Sequence, residues 1–154
     1  MRLLLDTNII LIYGRENERT RAIERDYGIF AKENDLFTSV AVLAEVRSFA
    51  LRKQYGTRKL KAIQKIFERV RIIGVHFEEI LDRYATIDAY SQGELPNVES
   101  PFTARNMGKN DLYIAATASV FDLSLVTTDR DFSHIHQTHL DLIYVDQAHY
   151  RNAS

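Results

Sequence analysis

Short apolar runs alternate along this chain with longer segments of helical periodicity, and that alternation constrains its fold most. Leu3-Leu4-Leu5 reads as a buried strand ending at Asp6. Leu36-Phe37-Thr38-Ser39 reads as a second strand, followed by residues 70–75, 123–127 and 142–145. Runs this short and this apolar suit strands covered on both faces. Between them, residues 8–13, 16–34, 40–54, 57–67, 77–90 and 110–121 read as helices. Leu43, Val46, Ala50 and Leu51 recur at helical spacing, as do Leu60, Ile63, Ile66 and Phe67. Ser39 and Thr57 stand where helix caps are expected. Gly28 weakens the 16–34 segment by about 1 kcal/mol relative to alanine. Strands alternating with helices predict an α/β fold with a parallel sheet between helical layers. Residues 91–109 break the rhythm with Gly93, Pro96, Pro101 and Gly108, and read as one long loop of the kind that often serves function.

A chain of 154 residues fits a single domain, 1–154, with one proper core. The absence of cysteine excludes a disulfide framework, a thiolate zinc site and a cysteine nucleophile. The apolar stretches near the start are too short to span a membrane and carry no small-residue cleavage pattern, so the expected location is the cytoplasm. Net charge is −1, so any nucleic-acid contact must come from local basic patches and bound metal.

Four acids sit at the edges of the apolar segments. Asp6 ends the first strand, Glu45 lies in the second turn of the helix after the second strand, Asp111 opens a helix and Asp129 closes the fourth strand. A carboxylate beside a buried segment is costly unless it is paired or holds a cation. In parallel sheets ligands bind outside the carboxyl ends of the strands, where Asp6 and Asp129 fall. Oxygen ligands without cysteine or histidine select Mg²⁺ or Mn²⁺, and such ions serve phosphodiester chemistry. Asp6 and Asp111 are expected as direct or near-direct ligands, with Asp129 completing the shell, either directly or through water. Glu45 is expected to bind a second metal or to orient water. Thr7, Asn8, Asn110 and Thr127 flank the acids as hydrogen-bond supports. Taken singly, each acid also has an ordinary reading as a cap, a turn residue or a solvated helix residue; their joint order favours one site.

Asp6-Thr7-Asn8 after the first strand resembles the opening motif of the PIN-domain nucleases. Glu45-Val46 is similar to their second acid, Asn110-Asp111-Leu112-Tyr113-Ile114-Ala115-Ala116 to their third, and Thr127-Thr128-Asp129-Arg130-Asp131-Phe132 to their fourth. The wording is most like the VapC toxins of bacterial toxin–antitoxin pairs. The resemblance implies a three-layer α/β/α fold with about five parallel strands. It implies a Mg²⁺- or Mn²⁺-dependent endoribonuclease whose catalytic residues are Asp6, Glu45, Asp111 and Asp129, with metal on Asp6, Asp111 and Asp129. It also implies an RNA substrate, a cognate antitoxin and a homodimer. Asp131 is then a helix cap or an auxiliary acid. The loop at 91–109 is longer than is usual in that family. Two rivals remain: a PIN-like RNA-processing nuclease without an antitoxin, and a silent RNA-binding module.

Other polar clusters say less. His134, His136 and His139 do not follow a structural zinc pattern and read as surface residues, and His76 as structural. Arg47, Arg52, Lys53, Arg58, Lys59 and Lys61 read as solvated helix faces, with Arg105, Lys109 and Arg130 as candidates for phosphate contact. Tyr13, Phe49, Tyr84, Tyr90 and Tyr113 fit packing better than base stacking.

Overall fold

A computed structural model describes residues 1–150; residues 151–154, part of the expected domain span, lie outside the described residues. Five strands form one sheet: β1 (Arg2–Leu5), β2 (Asp35–Ser39), β3 (Arg71–Ile73), β4 (Ser124–Thr127) and β5 (Leu142–Tyr144). Their order is β3-β2-β1-β4-β5, and every neighbouring pair is parallel. Leu4 pairs with Phe37 on one side and Leu125 on the other. Leu3, Leu4 and Leu5 are all buried, as a central strand covered on both faces requires.

Among the described residues six α-helices connect and cover the strands: α1 (Thr7–Tyr13), α2 (Glu18–Tyr27), α3 (Val40–Arg52), α4 (Thr57–Arg69), α5 (Glu78–Ser91) and α6 (Lys109–Val120). α1 packs against α3 and α4, and α5 against α6, giving the expected three layers. α6 is apolar nearly all round, and Ile114 through Ala118 are buried. Its small residues let it lie close to neighbouring helices, and α3 and α5 both pack on it. Among the described residues no helix is long and apolar enough to cross a membrane.

The predicted helix at 16–34 is a shorter helix followed by turns. α2 starts after Asn17, whose Oδ1 accepts from Thr20 N at 3.1 Å, and stops at Gly28. Gly28 adopts φ 56°, a left-handed conformation that terminates helices and strains residues bearing a Cβ. The following turn is held by the Glu24 carboxylate, which accepts from Phe30 N at 3.0 Å and from the Tyr13 hydroxyl at 2.7 Å. Asn34 Nδ2 closes it on Gly28 O at 2.9 Å. Gly28 therefore ends the helix instead of merely weakening it. Thr57 is the first residue of α4, and Gly56 occupies the cap position without a side-chain bond. The third strand shrinks from the expected 70–75 to Arg71–Ile73 because it lies at the sheet edge, where only β2 pairs with it.

Gly28→Ala is expected to lower stability by about 1–2 kcal/mol, since nothing else lies within 4 Å of a Cβ there and the cost is conformational. Urea unfolding should show a lower midpoint at unchanged slope. An unmoved midpoint would mean that the turn relaxes.

Candidate active site

The sheet changes direction beside β1. From β1 the chain moves outward through β2 and β3, then returns to place β4 on the other side. The carboxyl ends of β1 and β4 therefore border the switch point where parallel sheets open a crevice. Asp6 and Asp129 leave the sheet on either side of it.

Asp6 caps α1 and is only 4% exposed. Its Oδ1 accepts from Thr7 N at 2.7 Å and its Oδ2 from Thr127 Oγ1 at 2.6 Å. The same Thr127 oxygen accepts from Asp129 N at 3.0 Å, so one hydroxyl joins the two strand ends. Asp129 caps the 3-10 turn Arg130–Ile135, and its Oδ1 accepts from Asp131 N at 2.8 Å. The cap is thus Asp129; of the two readings expected for Asp131, cap or auxiliary acid, the cap falls away, and Asp131 is an exposed first-turn residue.

Glu45 projects from the second turn of α3. Its Oε2 accepts from the Thr7 hydroxyl, and its Oε1 accepts from Asn110 Nδ2 at 2.9 Å. Asp111 stands in the first turn of α6, next to the Gly108 cap. A Cβ at Gly108 would come within 3.1 Å of Asp111 Oδ2, so the missing side chain makes room for the carboxylate. Three of the four flanking residues, Thr7, Asn110 and Thr127, thus hold acids in place, and Asn8 lines the opening.

All four acids line one open cleft of about 530 Å³. Burial pushes the Asp6 carboxyl up to about 6, against the pull of its two hydrogen bonds, with Glu45 and Asp129 adding repulsion. Burial also pushes Asp111 up to about 7, helped by Asp6, Glu45, Asp129 and Asp131. Among the described residues no three carboxylates or imidazoles form a ready-made metal cage. An all-oxygen donor set under this mutual repulsion nevertheless fits Mg²⁺ or Mn²⁺, which take one or two carboxylates and fill the remaining positions with water or phosphate oxygen.

Among the described residues His134, His136 and His139 form no metal cage, in line with their lack of a zinc pattern. His136 Nδ1 accepts from Leu142 N at 3.0 Å, and the His139 ring lies 4.7 Å from that of Tyr90. His134 is half-buried, contrary to the surface reading, with Nε2 at 2.7 Å from the buried Ser91 hydroxyl. Phe102 packs edge-on to both Tyr90 and His134, at 5.2 and 5.0 Å. Arg105 N donates to Ser91 O at 2.7 Å. These contacts fasten the 92–108 loop beside the turn that follows Asp129 and deliver the chain to Gly108 and Asp111. His76, expected to be structural, is exposed and stacks on Phe77.

Ser48, Phe49 and Arg52 also line the cleft, on the same face of α3 as Glu45. Their offsets of three, four and seven residues from Glu45 are the helical signal that reveals them once Glu45 is taken as a reference.

A group whose pKa is raised by folding stabilises the protein fully below its unfolded value and loses that contribution as pH rises through its folded value. Metal-free protein should therefore lose stability as Asp6 and Asp111 ionise, from near pH 4 up to about 6 and 7. Asp111→Asn removes one of these penalties. Its melting temperature relative to wild type should rise between about pH 4 and about pH 8, and Mn²⁺ should raise the wild type more than the variant at the upper end. A pH-independent difference would contradict the burial and the neighbouring charges that raise the Asp111 carboxyl.

Comparison with known proteins follows the same outline. The PIN domain sequence profile matches residues 3–137, a span that includes all four acids. No curated protein sequence matches the chain. VapBC2 from Rickettsia felis, bound to a DNA fragment from its promoter, contains a chain that superposes with a TM-score of 0.71 at 22% identity, covering 95% of this chain and 100% of that one. VapBC-1 from nontypeable Haemophilus influenzae matches with a TM-score of 0.67 at 28% identity, over 94% and 98% of the two chains. VapBC-5 from Mycobacterium tuberculosis, a member of the VapBC family of toxin–antitoxin systems, matches with a TM-score of 0.61 at 21% identity, over 94% and 98%. The first and third likenesses speak for the fold alone. With the profile covering most of its length, the chain belongs to the PIN-domain family.

Proposed function

We propose that residues 1–154 form a single PIN-like domain that acts as a divalent-metal-dependent endoribonuclease, the toxin of a type II toxin–antitoxin pair. The observation that carries this reading is the convergence of Asp6, Glu45, Asp111 and Asp129 on one cleft at the sheet's switch point. The likeness to VapBC-1 supports a cognate antitoxin as partner; a homodimer as the working form and the cytoplasm as the location belong to the same proposal.

Asp6, Asp111 and Asp129 are the proposed ligands for Mg²⁺ or Mn²⁺, and the four acids together are the proposed catalytic set. The ion, when bound, supplies Lewis-acid charge for a phosphodiester. The chain's own residues do the rest. Asp6 is locked from both oxygens by Thr7 N and Thr127, which fixes its orientation at the cleft floor. Glu45, held by Thr7 and Asn110, presents a fixed carboxylate able to orient an attacking water and accept its proton. Asp111 faces the cleft from a helix N-terminus, whose dipole favours its ionised form.

Asp6→Asn, Asp111→Asn and Asp129→Asn should each fold normally by circular dichroism and lose Mn²⁺-dependent RNA cleavage by about a hundred-fold or more. Full activity in all three would overturn the site assignment. Sequencing of RNA ends after induced expression identifies the substrate. Growth arrest that requires Asp6 and is relieved by the product of a neighbouring short gene marks a toxin. Cleavage without arrest marks an RNA-processing nuclease instead, and tight RNA binding without metal binding marks a silent module.

A further inference from the structure

The cleft does not end at the acids. Along α3, Glu45 to Arg52 spans roughly 10 Å of rise, and Ser48, Phe49 and Arg52 line the opening over that length. The guanidinium of Arg52 lies 5.6 Å from the centre of the Phe49 ring, and Lys53 Nζ lies 5.9 Å from it. Phe49 meets Tyr55 edge-on at 6.0 Å, and Lys59 Nζ sits 3.5 Å from the centre of the Tyr55 ring. Rings and cations therefore alternate in one continuous strip, from the acid cleft to the turn between α3 and α4.

The charge of this region departs from that of the whole chain. Residues 40–69 carry eight basic residues against two acids, Glu45 and Glu68, although the net charge of the chain is −1. Among the described residues, Arg52, Lys53 and Lys59 have no carboxylate partner within salt-bridge distance. The strip is a local basic field with aromatic faces in it, beside a cleft of opposite sign.

Resting on the nuclease reading above, we infer that Phe49, Arg52, Lys53, Tyr55 and Lys59 form a track for single-stranded RNA that feeds the strand to the four acids. Basic groups that follow a phosphate backbone, interleaved with rings that stack on bases, are the general means of holding unpaired nucleic acid. Duplex RNA hides its base faces in the stack, so rings add little to its recognition. Arg52 is a positioning residue in this scheme, since it borders the cleft at a distance from the acids along α3. Phe49 and Tyr55 are half-buried against the core, and of the strip Phe49 and Arg52 share the cleft face of α3 with Glu45, while Lys53, Tyr55 and Lys59 continue it towards α4.

The test uses the full chain carrying Asp111→Asn, to prevent turnover, and a fluorescein-labelled single-stranded RNA of about twelve nucleotides. Arg52→Gln with Lys53→Gln should weaken binding at least about ten-fold and reduce the salt slope by about 1.4, at about 0.7 per lost phosphate contact. Phe49→Leu should weaken binding about five- to hundred-fold with little change of slope. Arg25→Gln with Lys32→Gln, exposed positions near the amino ends of the strands, is the charge-matched control and should change neither. In the cleavage-competent chain, Arg52→Gln should raise KM more than it lowers kcat. Melting curves verify that each variant is folded. If the parent binds the RNA and wild type cuts it while the track variants match the control, the track is wrong and the nuclease reading stands. If the parent binds no RNA and wild type cuts none, both fail. A poly-glutamate peptide that binds more tightly than the RNA would overturn the track in favour of a protein partner.

Discussion

One threonine hydroxyl holds the proposed chemistry to the fold. Thr127 Oγ1 donates to Asp6 and accepts from Asp129 N, which ties the ends of β1 and β4 together at the place where the sheet changes direction. A carboxylate that is 4% exposed needs such partners, because burial without hydrogen bonds is costly. With Thr127 and Thr7 N on its two oxygens, Asp6 can stay under the cleft and still begin α1. The other acids are arranged around that fixed point: Glu45 through Thr7, and Asp129 through Thr127.

The electrostatics follow from this crowding. Asp6 and Asp111 are both pushed well above the usual carboxylate range, burial being the main cause and the neighbouring acids the next. A fold that gathers like charges in this way sacrifices stability for a concentrated negative site, a common arrangement where a cation is held. The 92–108 loop contributes from behind. Its packing against Ser91, Tyr90 and His134 secures both the turn after Asp129 and the approach to Asp111.

Much of this was legible in the residues. The five strands and their helical connections could be read from period and length, since strands buried on both faces leave short, uninterrupted apolar runs. Asp6, Asp111 and Asp129 stood in multi-residue motifs, so their order pointed to one site. Glu45 had no comparable local signature, and its place became plain only through its bonds to Thr7 and Asn110. Helical periodicity continues past Gly28, whereas its left-handed conformation depends on the Glu24 and Asn34 contacts that close the turn. His134 looked like a surface residue for a similar reason: its burial comes from Ser91 and Phe102, which approach from distant parts of the chain.

The sequence by itself determined the alternation of elements, the position of acids at strand ends and the exclusion of cysteine chemistry, because these depend on local pattern and composition. Tertiary structure decided which acids share a cleft, which hydroxyls and amides hold them, and that α3 places Phe49 and Arg52 beside Glu45. Those facts depend on strand order and on contacts between residues up to 121 positions apart, as between Asp6 and Thr127. Period and propensity describe each segment alone, and carry no information about which strand ends become neighbours when the sheet reverses direction.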